Sequence, residues 1–95
     1  MPDRYELFQN FPNPFNPSTT FVYALPADSH VHLTVYNTLG QRVADVINEQ
    51  QRAGYHRQTW NPSLASGMYF YRIEAIEVTS SRTRFVDTKA MVFVK

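Results

Sequence analysis

The chain has 95 residues, a length that suits one domain with one modest core. Hydrophobic residues make up 43% and aromatic residues 15%, too rich a composition for a disordered tail. A net charge of +1 gives no reason to expect a nucleic-acid partner, and the absence of cysteine removes disulfides and thiolate zinc sites.

Residues 1–4 read as a start or linker, and residues 5–95 as the domain. Met1 is followed by Pro2-Asp3-Arg4, not by a basic-then-apolar leader. No apolar run approaches the ~20 residues that span a bilayer.

Asn10 to Ser18 spells NFPNPFNPS. Each proline drives the residue before it, Phe11, Asn13 or Asn16, out of the helical region. The segment is therefore extended yet poor in backbone donors. That suits a first edge strand, where missing donors do no harm and proline blunts unwanted pairing. Phe11 and Phe15 are expected to pin it to the core. Pro14 to Pro17 also spells P-x-x-P, a polyproline-ligand pattern, but such ligands usually lie in disordered, basic surroundings.

The rest of the chain alternates with a period of two, the mark of half-buried strands. TTFVYAL puts Phe21, Tyr23 and Leu25 on one face, and Pro26 ends it. HVHLTVY places Val31, Leu33 and Val35 on one face and His30, His32, Thr34 and Tyr36 on the other. NTLGQ follows as a turn, with Gly40 free to take positive φ. RVADVI alternates imperfectly, which predicts a bulge or an edge strand. AGYHRQTW sets His56, Gln58 and Trp60 on one parity. LASGMYFYRIEA turns at Ser66-Gly67, where positive φ is expected, then faces Tyr69, Tyr71 and Ile73 inward. RFVDTKAMVFVK alternates Met91 and Phe93 against Val92 and Val94. Six or seven short strands, with turn signals about every ten residues, predict an antiparallel β-sandwich.

No chemistry assembles from these residues. His30 and His32 are two apart on one strand and point the same way, so they can share a metal only if His56 or Asp28 adds a third ligand. The plainer reading is two solvated histidines on a polar face, and no metal or cofactor is expected. Ser29, Ser63, Ser66, Ser80 and Ser81 lie in turns, and none sits in a G-x-S-x-G elbow. The eight carboxylates are scattered, and Gly40, Gly54 and Gly67 are too far apart for a phosphate loop. Asn16-Pro17-Ser18 and Asn61-Pro62-Ser63 are barred from glycosylation by the central proline. Outward aromatics at Tyr36, Phe70 and Tyr55 could stack on sugar rings; in a chain this aromatic, some rings must simply stay exposed.

Five stretches occur in a fixed order: FQNFPNPFNPSTT, LTVYNTLGQRV, AGYHRQTW, LASGMYFYRI and KAMVFVK. Together they resemble the type A C-terminal sorting domain carried by cargo of the type IX secretion system. They are also similar to the immunoglobulin-like domain of flagellar hook-capping proteins. The resemblance covers Tyr5 to Lys95. It implies a seven-stranded antiparallel immunoglobulin-like sandwich that is not an enzyme. Such a domain follows a larger cargo domain, which reaches the periplasm by a separate signal. The sandwich is then read by an outer-membrane translocon. A sortase-type protease removes it in many members, leaving the cargo at the cell surface or secreted.

The family's motifs fall on Pro12, Asn13 and Pro14; on Leu33, Val35 and Tyr36; on Leu39, Gly40, Gln41 and Arg42; on Gly67 and Tyr69; and on Lys95. The basic residue that members place before the final MV is displaced here to Lys89, with Ala90 between. The stretch AIEVTSSRTRFVD, within residues 75–87, is longer than the family's tight turn and predicts a protruding hairpin. The alternative expectation is a structural or carbohydrate-binding sandwich in a larger extracellular protein.

Overall fold

The computed structural model describes all 95 residues. Seven strands form in chain order: β1 (Glu6–Leu7), β2 (Thr19–Leu25), β3 (Ser29–Tyr36), β4 (Arg42–Gln51), β5 (Gly54–Trp60), β6 (Gly67–Glu77) and β7 (Arg84–Phe93). Two sheets result, ordered β1-β2-β5 and β4-β3-β6-β7, with every strand pair antiparallel. Three strands facing four, with β4 added beside β3, is an immunoglobulin-like sandwich.

The alternation written in the sequence becomes the core. Phe21, Tyr23 and Leu25 from β2 meet Val31, Leu33 and Val35 from β3, with Tyr69, Tyr71 and Ile73 from β6 and Met91 and Phe93 from β7. Burying each such side chain stabilises by roughly 1.5–3 kcal/mol, so the strands hold together through their shared inner layer. Aromatic rings tie the sheets across the middle: Phe21 lies 4.8 Å from Tyr71 between ring centroids. Trp60 packs on Phe21, and His56 stacks on Tyr23 as a half-buried packing residue.

β4 is both an edge strand and bulged. Its pairing with β3 steps past Val46 between Leu33 and Thr34, and past Val43 between Val35 and Tyr36. The extra residues explain why its alternation was imperfect.

Three expectations are corrected. The edge strand is Glu6–Leu7, and the proline segment itself makes only isolated bridges at Phe11 and Phe15. Phe15 is buried, but Phe11 is 48% exposed and lies under the Arg57 guanidinium. The ring at position 11 falls outside the inner layer because Phe11 pairs with Thr20, which has the outward parity of β2, and opposed residues share a face. Nor does residues 75–87 form a protruding hairpin. The β6–β7 ladder continues to Ile76 and Arg84, and Ser29 of β3 flanks Glu77. The additional length is absorbed as sheet, because its Ala75 and Phe85 pack against the core.

Candidate functional site

The proline segment works as a clasp between the two sheets. At its start, Phe11 exchanges two backbone hydrogen bonds with Thr20 of β2. Four residues later it has crossed to the other sheet. Phe15 N–H donates to the Val92 carbonyl, and Val94 N–H donates to the Phe15 carbonyl, a parallel bridge to β7. Asn13 Oδ1 accepts from Val92 N–H at 2.9 Å, and Gln9 Nε2 donates to the Ala90 carbonyl at 2.8 Å. The Phe15 ring lies 5.0 Å from Phe93. Proline suits the crossing, since a chain passing from sheet to sheet has few ladder partners for its amides.

A buried polar knot fixes the clasp at its root. Tyr71 O–H donates to the Phe8 carbonyl at 2.8 Å and accepts from Asn10 N–H at 2.8 Å. Asn10 Nδ2 donates to Thr19 Oγ1, which donates in turn to the Pro12 carbonyl. Burial pushes the Tyr71 phenol up to about 12; the Asn10 amide opposes this and the Asp87 carboxylate adds to it. Tyr23 is likewise raised to about 12 by burial, against a hydrogen bond from its hydroxyl to Gln51.

The β3–β4 turn stands at the same end of the sandwich. Asn37 Oδ1 accepts from Leu39 N–H and Gln41 N–H, both at 3.0 Å, and its Nδ2 donates to Gln41 Oε1. Gly40 has φ +80°, a conformation that any Cβ resists. The asparagine and the glycine therefore lock the turn, and Leu39 is left 81% exposed at its tip. Gly67, at the start of β6, has φ +157°, the positive value expected at this turn and one that residues with a side chain rarely adopt. Tyr69 O–H donates back to the Ala65 carbonyl at 2.7 Å, a tyrosine corner that pins the β5–β6 connection. Lys95 N–H donates to Ser66 Oγ.

The motif residues thus divide. Leu33, Val35 and Tyr69 are buried and belong to the core. Pro12, Asn13, Pro14, Tyr36, Leu39, Gly40, Gln41, Arg42, Gly67 and Lys95 gather toward one end, where Gly67 pairs with Phe93 and Tyr36 with Phe70. Lys89 is not among them: it pairs with Tyr71 further along β7.

Other candidates are placed as well. His30 Nε2 bonds Asn48 Oδ1, and His32 Nε2 bonds Asp45 Oδ1, each at 2.7 Å. That bond and the nearby Arg42 hold the Asp45 carboxyl below its ordinary value. His56 lies on the other sheet and bonds the Arg52 carbonyl. No three histidine or carboxylate groups converge as a metal site. Tyr36 and Phe70 are neighbours on one sheet, whereas Tyr55 lies on the other, so the three rings make no common stacking platform. Sequence reasoning missed Asn10, Asn37 and the task of Tyr71. One signal was present: an inward-facing tyrosine requires a partner for its hydroxyl.

Fold and site together define a β-sandwich whose opening segment clasps its closing strand, with a locked, exposed turn beside them. The crystal structure of CopC from Methylosinus trichosporium OB3b shares this fold, with a TM-score of 0.63 over 95% of this chain and 93% of that one. At 11% identity the likeness bears on the fold alone. No curated protein matches the chain in sequence. The family profile of the secretion system C-terminal sorting domain matches residues 9–87, and the chain belongs to that family. Its function is that of a type IX sorting signal, which directs export to the cell surface or the medium. Sorting domains of this family are not enzymes, and they act through the secretion machinery.

Proposed function

We propose that the outer-membrane translocon reads the end of the sandwich formed by the clasp, the β3–β4 turn and the close of β7. The reading rests on one observation: Leu39 is 81% exposed at the tip of a turn that Asn37 and Gly40 hold rigid. A large apolar side chain held out to water contributes nothing to the core, and it fits a contact with a partner. Arg42 and Lys95, both exposed nearby, add charge to the same surface. On this reading Leu33, Val35, Tyr69, Asn13 and Gly40 build the surface, and Leu39, Gln41, Arg42 and Lys95 are touched. The domain follows a larger cargo domain, is handed to a sortase-type protease after crossing, and itself catalyses nothing.

The test is export of a reporter fused before Tyr5, behind a signal peptide, in a host with a type IX system and in one without. The intact fusion is expected outside the first host and in the periplasm of the second. Leu39→Ala and Lys95→Ala are each expected to keep the melting temperature and to lower export. Normal export of both variants would move the recognition surface elsewhere on the domain. Retention of the intact fusion in a host that exports a known cargo would overturn the sorting role of this segment.

A further inference from the structure

Half of the β7 edge pairs with no strand, although β1 of the facing sheet lies close to it and Tyr5 stacks on Phe85. Its outward backbone groups belong to even-numbered residues, as the clasp shows by bonding Val92 N–H, the Val92 carbonyl and Val94 N–H. Gln9 takes the Ala90 carbonyl. Val86 and Thr88 share this parity, yet no strand pairs with them on that side. Thr88 N–H is capped only by the carboxylate of its neighbour, Asp87, at 2.8 Å. β4, the opposite edge of the same sheet, is bent by two bulges; the β6–β7 pairing runs ten rungs without a shift. Bulges spoil an edge as a template, and a regular strand keeps it.

The side chains on this stretch carry a pattern. Val86, Thr88 and Ala90 lie on the outer face and are uncharged. Asp87 and Lys89 have the inward parity and are half-buried, and neither joins an ion pair. Inward charges at a sheet edge deter strand addition, because an incoming strand would bury them unpaired. The deterrent vanishes for a strand that sets the opposite charge across from each. The sequence Val86-Asp87-Thr88-Lys89-Ala90 is such a strand for itself when read antiparallel about Thr88.

We propose that this edge takes the same edge of a second copy, antiparallel, with the twofold axis at Thr88. In that register Thr88 faces its own counterpart and Val86 faces Ala90 of the second copy. Asp87 faces Lys89 of the second copy, and Lys89 faces its Asp87. The parity agrees: Val86, Thr88 and Ala90 point their backbone groups outward and fall at the hydrogen-bonded positions; Thr88 N–H leaves Asp87 for the second copy, and the Ala90 carbonyl accepts a second bond beside that of Gln9. Asp87 and Lys89 fall at the non-hydrogen-bonded positions, where opposed side chains are closest. The clasp limits the pairing to five residues, since Val92 and Val94 are already taken. The two four-stranded sheets join into one of eight strands. The inference is independent of which end the translocon reads.

So short a seam buries far less than the ~1,600 Å² of a standard interface, so the dimer is weak. Sedimentation equilibrium of the whole chain, from about 10 μM to about 1 mM, is expected to show a monomer–dimer equilibrium that weakens with salt. Asp87→Lys and Lys89→Asp each place like charges across the axis and are expected to weaken it roughly tenfold or more. Mixing the two variants restores opposite charges and is expected to give a heterodimer of wild-type affinity. The double exchange, Asp87→Lys with Lys89→Asp, restores the homodimer. Melting curves confirm that each variant is folded. A wild-type chain that stays monomeric throughout overturns the proposal. So does a dimer that both single variants keep, or a mixture of folded variants that fails to associate.

Discussion

Replacing Tyr71 by phenylalanine removes one oxygen and leaves the ring. The ring is buried against Phe21, so its packing is retained and no large cavity opens. What is lost is the bond to the Phe8 carbonyl and the bond from Asn10 N–H. Asn10 is 2% exposed, so its amide cannot turn to bulk water in place. Leaving a buried group unsatisfied costs roughly 1–3 kcal/mol; with the carbonyl of half-buried Phe8 at the low end, about 1, and the Asn10 amide across the range, the two together come to about 2–4 kcal/mol. That is a large share of the roughly 5–15 kcal/mol that holds a domain of this size. The melting temperature is expected to fall by roughly 8–32 °C, at about 4–8 °C per kcal/mol. The loss is also local, because both bonds anchor the root of the clasp. Amide hydrogen exchange at Phe15 and Val94 is expected to accelerate more than exchange within β3. A melting temperature changed by no more than about 1 °C would refute the energetic reasoning. Uniform acceleration across all strands would refute the claim that Tyr71 acts through the clasp.

Phe15→Ala is expected to cost ~3–5 kcal/mol, because Phe15 is 1% exposed against Phe93. Phe11→Ala is expected to cost only about 0.5–1 kcal/mol, the worth of a half-exposed ring under Arg57; equal costs by urea titration would show that the clasp has been misplaced. Alkaline titration tests the two buried phenols. Tyr23 and Tyr71 are raised in the fold from 10.0 to about 12, so their contribution is complete below pH 10 and is lost as the pH climbs through about 12. Each contributes at most roughly 2–3 kcal/mol, and thermal melts from about pH 9 upward should show the decline; flat stability up to about pH 12 contradicts it.

Much of the strand layout was legible in the chain because alternation is a local property. Val31, Leu33 and Val35 in β3 face inward whatever lies opposite, since a pleated strand turns every second side chain the same way. The turn at Asn37 to Gln41 was legible for the same reason: its bonds and its positive φ at Gly40 are closed within five residues. Partners across the sandwich were not legible. Nothing local in NFPNPFNPS distinguishes Phe11, which stays outside, from Phe15, which enters the core. That choice is made where the clasp leaves β2 for β7, a strand nearly eighty residues later that exists as an edge only once the sheet has formed. The residues 75–87 teach the same lesson. Their length reads as a protrusion until β3 is seen to lie beside them, because pairing energy depends on which strand is adjacent and not on the sequence of either alone. The motif residues themselves were named by resemblance, whereas their division into buried builders and exposed contacts came from tertiary burial, which no single strand can fix.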